Sequence, residues 1–206
     1  ERIRAAGGAE EVTVIGVTKT FPISFVAAAL EAGIRDVGEN YAQELADKVD
    51  QAAAAGLDPR WHFIGGLQRN KIKRLAGHVW LWQTIDRESL VTELAKRDPG
   101  SRILIQVNTT GEEQKSGCDP AEAPILVDRA RELGLDVQGL MTIGPTGFGG
   151  TAGDPRPAFD LLRDLAGRCE VDELSMGMSA DYELAVAAGA TMVRIGSAIF
   201  GPRTPR

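Results

Sequence analysis

Val12-Thr13-Val14-Ile15-Gly16-Val17-Thr18-Lys19-Thr20-Phe21-Pro22 is the stretch on which the architecture turns. Its first half is a continuous apolar and β-branched run, the pattern of a strand buried on both faces of a parallel sheet. The run ends on one lysine, and Pro22 then imposes a turn and suits the first turn of a helix. A lysine at the mouth of a buried strand loses solvation, which favours its neutral amine. That is the state able to form a Schiff base with an aldehyde. The position alone favours a lysine that snorkels out of a strand end, and the rest of the chain reverses that preference.

Working outward, short apolar runs alternate with helix-patterned segments along the rest of the chain. Strands are expected at Val12–Val17, Asp36–Gly38, Trp61–Ile64, Val79–Trp82, Ile103–Asn108, Val137–Met141, Glu173–Met176 and Met192–Ile195. Helices are expected near Ile23–Ala32, Ala42–Ala55, Asn70–Leu75, Glu88–Lys96, Ala121–Leu133, Ala158–Gly167 and Asp181–Ala188. Gly33, Gly134 and Gly189 each fall where a helix ends before the next strand, the C′ position that favours glycine. Eight strands with intervening helices predict an α/β fold, a single (β/α)8 TIM barrel, with an open doubly wound sheet as the alternative. The Gly- and Pro-rich stretch Gly144–Pro157 follows a strand and is expected to be a mobile loop on the face where barrels keep their sites. Glu1-Arg2-Ile3-Arg4-Ala5-Ala6-Gly7-Gly8 reads as the end of a truncated helix, leaving one domain over residues 1–206.

Composition narrows the function. The 206 residues carry a net charge of −6, which disfavours a nucleic-acid or anionic-membrane binder while leaving room for a local small-anion site. Cys118 and Cys169 have no partner motif, so neither a disulfide framework nor a metal site is expected, and a reducing, cytoplasmic setting fits. His62 and His78 are too far apart for a metal cluster. His62, inside an apolar strand, reads as a hydrogen-bonded structural histidine. No apolar stretch is long enough to span a membrane, and no signal peptide is visible.

In a barrel, the polar residues after each strand converge on one face. Here they are Lys19, Glu39 and Asn40, the segment Gly65 to Asn70, Gln83, Asn108, Thr142, Ser179, and Gly196 with Ser197. Gly196-Ser197 closes the last strand, where backbone N–H groups and a hydroxyl can hold a phosphate. Ser179, on the preceding loop, reads as a second donor, as the N-cap of the helix near Asp181, or as both, since an anion sits at the same helix start. Asn40 is either a helix N-cap or a ligand-facing amide.

Read together, the motifs resemble a known family. They are Val17-Thr18-Lys19-Thr20-Phe21-Pro22, Gly38-Glu39-Asn40-Tyr41-Ala42-Gln43-Glu44, Trp61-His62-Phe63-Ile64-Gly65-Gly66-Leu67-Gln68-Arg69-Asn70-Lys71, Gly111-Glu112-Glu113-Gln114-Lys115-Ser116-Gly117, Leu140-Met141-Thr142-Ile143, Leu174-Ser175-Met176-Gly177-Met178-Ser179-Ala180-Asp181 and Arg194-Ile195-Gly196-Ser197-Ala198-Ile199-Phe200-Gly201. In this order and over essentially the whole chain they resemble the YggS/PROSC family of pyridoxal 5′-phosphate (PLP) homeostasis proteins. The resemblance implies the barrel of the alanine racemase N-terminal domain, with PLP as cofactor and Lys19 as its Schiff-base lysine. It implies that Ser179, Gly196 and Ser197 bind the phosphate, that Asn40 lies near the ring hydroxyl, and that Arg194 faces the pyridine nitrogen. A guanidinium cannot accept a proton, so it disfavours a protonated pyridine nitrogen and weakens the ring as an electron sink.

The resemblance therefore implies an intracellular PLP carrier with little or no catalysis, whose partners are PLP and apo PLP-dependent enzymes; a monomer is expected because no large apolar surface helix stands out. The alternative is a weak amino-acid racemase. Racemisation needs bases on both faces of the substrate. The resembling barrel enzyme takes its second base, a tyrosine, from a separate C-terminal β domain. This sequence ends at Arg206, and its tyrosines, Tyr41 and Tyr182, both fall at helix starts, which favours the carrier. A phosphosugar aldolase would use the same lysine and phosphate turns but not the further motifs.

Overall fold

The structure, a computed structural model, describes residues 12–147 and 153–202 together with residue 5. The rest of the expected N-terminal helix end and residues 148–152 of the expected loop lie outside the described residues. Eight parallel strands close into a barrel in sequence order. They are β1 (Thr13–Val17), β2 (Asp36–Glu39), β3 (Arg60–Phe63), β4 (Leu81–Ile85), β5 (Arg102–Gln106), β6 (Asp136–Met141), β7 (Glu173–Met178) and β8 (Met192–Ile195). The helices are α1 (Ile23–Glu31), α2 (Ala42–Ala54), α3 (Arg69–Leu75), α4 (Glu88–Arg97), α5 (Ala123–Glu132), α6 (Arg156–Cys169), α7 (Tyr182–Ala187) and α8 (Ser197–Phe200). Closure comes from β1, which pairs with β2 on one side and with β8 on the other, in register from Thr13↔Met192 to Gly16↔Ile195. This excludes the open sheet. Gly33 and Gly134 take φ of +81° and +78°, the left-handed geometry that lets each helix end turn into the next strand.

Strand alternation sorts the side chains into two compartments. Val14, Val37, Trp61, Phe63, Trp82, Ile103, Ile105, Leu174, Val193 and Ile195 face the helices and pack with their apolar faces. Ile15, Leu81, Leu104, Met141 and Met192 form a separate apolar cluster from five different strands. In a closed barrel this is the interior layer that makes the structure a packed core rather than a pore. The fourth strand departs from expectation. It runs Leu81–Ile85 instead of Val79–Trp82, so Gln83 and Thr84, polar and therefore expected beyond the strand, lie within it and are buried. Among the described residues, no helix is long and apolar enough to cross a membrane.

Candidate functional site

The C-terminal strand ends surround a cavity of about 330 Å³, a volume suited to a small cofactor. β1 leads into it with Val17 and, two residues beyond, Lys19. Asn40 enters after β2, Ile64 after β3 and Ile143 after β6. The β7 turn supplies Met178, Ser179 and Ala180, and β8 supplies Arg194, Gly196 and Ser197. All six residues expected at the site are thus brought to one cavity. The closing β1–β8 pair explains how Lys19 and Ser197, 178 positions apart in sequence, come to share it. Lys19 is half-buried at its rim. Among the described lining residues the charged ones are Lys19 and Arg194, both cationic, with no carboxylate.

The β7 and β8 turns are linked through Ser179, whose Oγ accepts long hydrogen bonds from the N–H groups of Gly196 and Ala198, 3.4 Å each. Ser179 is not a helix cap. The N-cap of α7 is Asp181, whose carboxylate accepts from the Met178 N–H at 2.6 Å. The two serines, with the N–H groups of Gly196 and Ala198, form a donor-rich turn at the cavity edge. The cap reading of Asn40 also fails, because the residue preceding α2 is Tyr41 and no side chain caps that helix. Instead the Asn40 Oδ1 is buried with no hydrogen-bond partner among the described residues. A buried acceptor left without a donor is costly, which makes it a natural contact for a bound hydroxyl.

Arg194 is 5% exposed and rises from β8 inside the barrel. Its Nη2 donates to the Thr142 carbonyl at 2.7 Å and its Nη1 to Ser175 Oγ at 2.6 Å. Burial lowers its pKa to about 10, with the nearby Asp181 carboxylate pulling the other way. It therefore remains a cation at neutral pH. The chain of contacts continues across the barrel. Ser175 Oγ donates to Gln83 Oε1 at 2.7 Å, Gln83 Nε2 pairs with His62 Nδ1 at 2.9 Å, and His62 Nε2 pairs with Asp36 Oδ1 at 2.9 Å. With the Gln83 amide oxygen committed to Ser175, its N–H donates to His62 Nδ1, so the His62 Nε2–H donates to Asp36; this tautomer is assigned from the network. Arg194 is thereby held directly by β7 and the turn after β6, and through Ser175 by a chain that reaches β4, β3 and β2.

Several expected convergent residues are committed elsewhere. Gln83 belongs to this internal chain. Asn108 Nδ2 donates to the Glu112 carbonyl within its own loop, and Thr142 Oγ1 donates to the Val107 carbonyl. Glu39 is wholly buried in an ion cluster with Lys48. Sequence reading missed the roles of Gln83, Ser175 and Asp36; the available signal was polarity at strand positions that alternation directs inward. Cys118 and Cys169 are free and buried, and burial pushes the Cys118 thiol up to about 12, making it an inert core residue. No group of three or more metal-binding side chains occurs among the described residues.

The alanine racemase N-terminal domain family matches residues 1–204. The chain is 41% identical over 208 residues to a pyridoxal phosphate homeostasis protein of Pseudomonas aeruginosa, covering 96% of this chain and 88% of that one. It is 40% identical over 222 residues to a protein of the same name from Escherichia coli K12, covering 97% and 89%. Among solved structures, PipY of Synechococcus elongatus with PLP bound superimposes with a TM-score of 0.83 at 30% identity, covering 97% of this chain and 98% of that one. Barrel, cavity and relatives agree: the chain belongs to the family of pyridoxal phosphate homeostasis proteins, built on the alanine racemase N-terminal domain barrel.

Proposed function

We propose that this protein binds pyridoxal 5′-phosphate through Lys19 and acts as a carrier that buffers the cofactor and delivers it to apo-enzymes. The observation that carries the reading is one cavity holding a primary amine and a donor-rich turn, with two cations and no acid among its described lining residues. The chemistry PLP supplies when bound is an aldehyde that condenses with a primary amine and a ring that can draw electrons from the product. Lys19 provides the amine. Ser179, Ser197 and the N–H groups of Gly196 and Ala198 bind the phosphate. The unpartnered Asn40 Oδ1 accepts from the ring hydroxyl. Arg194, donor-only and still charged, meets the pyridine nitrogen and leaves it unprotonated, which suits holding the cofactor better than carbanion chemistry.

A racemase needs two bases across the substrate. The described lining contains no carboxylate, histidine, tyrosine or cysteine beside the Lys19 amine. Tyr41 is 55% exposed ahead of α2, and Tyr182 begins α7. These placements support the carrier. The free, buried cysteines support a reducing, cytoplasmic setting. A monomer is supported by the placement of Trp80 ahead of β4, Ile125 on α5 and Leu161 on α6, exposed apolar side chains that do not share one helix.

The direct test is an absorption spectrum with added PLP, before and after borohydride, followed by peptide mass mapping. A visible band lost on reduction, with a phosphopyridoxyl adduct on Lys19, is expected; an adduct confined to another lysine would refute the assignment. Ser197→Ala is expected to weaken PLP binding about tenfold, and Asn40→Ala only about threefold. The first removes a donor to a doubly charged phosphate and the second a neutral contact. Titration giving the two variants equal affinities would count against the phosphate turn.

A further inference from the structure

The Lys19 turn is held by a buried ion cluster that contributes nothing to the cavity lining. Glu39 at the end of β2 is 0% exposed and Lys48 in α2 is 4% exposed. Lys48 Nζ donates to Glu39 Oε1 at 2.6 Å, to Glu44 Oε1 at 2.9 Å and to the Thr18 carbonyl at 2.7 Å. That uses all three donors of an ammonium. Thr18 Oγ1 donates to the same Glu39 oxygen at 2.6 Å, and the Thr20 N–H donates to Glu44 Oε1 at 2.6 Å. The residues on both sides of Lys19 are therefore tied to one ammonium and its two carboxylates.

The backbone adds a second observation. Thr20 has φ of +68°, a left-handed conformation rarely adopted by a β-branched residue. Such a conformation persists only where its surroundings over-determine it, and strain of this kind gathers at functional turns. Here the Glu44 contact to the Thr20 N–H, itself fixed by Lys48, supplies that constraint. A tie meant only to hold α2 against the barrel would be as effective on any part of β1. This one closes on the two residues that flank the cavity amine.

We propose that Lys48, acting through Glu39 and Glu44, is the positioning residue that sets the Lys19 amine for covalent capture of the cofactor aldehyde; this rests on the reading of Lys19 as the anchor. In the step itself the Lys19 nitrogen bonds the aldehyde carbon. Both amine protons pass to the carbonyl oxygen, which leaves as water as the C=N bond completes. Nothing is oxidised or reduced. Lys48 touches neither reactant; it determines where the nitrogen stands when the aldehyde arrives.

The test compares two ligands on the full chain. PLP carries the aldehyde, whereas pyridoxine 5′-phosphate carries an alcohol in its place and binds only through the ring and phosphate. Lys48→Met is expected to slow growth of the PLP absorption band about tenfold, while the pyridoxine 5′-phosphate affinity stays within about twofold of the wild type. Glu44→Gln, which keeps the side-chain shape and weakens the hold on Thr20, is expected to give the same split at about threefold and serves if Lys48→Met does not fold. Wild-type capture rates in both variants would overturn the inference while leaving Lys19 as the anchor. Equal losses for the two ligands would also overturn it, by making the cluster merely structural. Failure of the underlying reading is seen separately, as a wild-type protein that borohydride does not label at Lys19.

Discussion

Lys19→Ala is expected to abolish the PLP absorption band and the borohydride-stable adduct while leaving the barrel folded. The residue lies past the end of β1, half-buried, and its side chain belongs to the cavity rim rather than to either apolar cluster. Truncating it should change the stability of the ligand-free protein by no more than about 0.5 kcal/mol, as for other substitutions away from the core. PLP affinity should fall by roughly 100-fold or more, about 2.8 kcal/mol, because the phosphate turn, Asn40 and Arg194 remain but the covalent bond does not. A linked observable follows by mass action. At 100 times the dissociation constant a ligand stabilises the folded state by about 2.7 kcal/mol, roughly 5–11 °C in a protein of this size. PLP should therefore raise the melting temperature of the wild type by that amount and leave Lys19→Ala almost unmoved at the same concentration. Thermal scans with and without PLP, beside far-ultraviolet circular dichroism, check both halves; a variant that keeps the band refutes the anchor.

Gly65→Ala should be the most damaging conservative change near the site. A Cβ at Gly65 would lie 2.0 Å from the Asn40 carbonyl oxygen and 2.6 Å from both the Asn40 carbonyl carbon and Cα. These are backbone atoms, so no rotamer change relieves the overlap. The β2 and β3 ends would have to separate, at the expense of the bond from the Ile64 N–H to the Glu39 carbonyl at 2.9 Å. Overpacking against fixed backbone costs about 3 kcal/mol, which corresponds to a loss of roughly 6–12 °C in melting temperature. Displacing Asn40 should also weaken PLP binding several-fold. Gly66 is the internal control. A Cβ there meets nothing within 4 Å, so Gly66→Ala should stay within about 0.5 kcal/mol of the wild type. Similar melting temperatures for the two variants would refute this close approach of β3 to Asn40.

The contrast between neighbouring glycines illustrates what a sequence holds and what it does not. The alternation of buried strands with helices, the glycine helix ends and the lysine at the mouth of the first strand are local chemistry, legible from neighbouring residues. So was the structural role of His62, since an imidazole among apolar strand neighbours needs partners. The motif series placed the cavity residues on the correct loops, because loops after parallel strands share one face by topology. By itself, then, the sequence determined the class of fold, the face that carries the cavity and the residues that line it.

Only the tertiary structure decided how those pieces close. The pairing of β1 with β8 joins residues about 180 positions apart, and no local pattern distinguishes it from the edge of an open sheet. Gln83 reads as the exit from a strand because polarity normally marks exposure; it lies inside β4 because Ser175 and His62, on other strands, satisfy its amide. Asn40 and Ser179 look like helix caps until the geometry gives one helix start to Tyr41 and the other to Asp181. Lys48 is the clearest case. Its spacing from Leu45 and Ala52 puts it on the buried face of α2, and its charge is tolerated there because Glu39, Glu44 and the Thr18 carbonyl converge on its ammonium. Desolvating a charge is affordable where opposite charges and acceptors meet it, and that meeting is a property of the closed barrel rather than of any stretch of the chain.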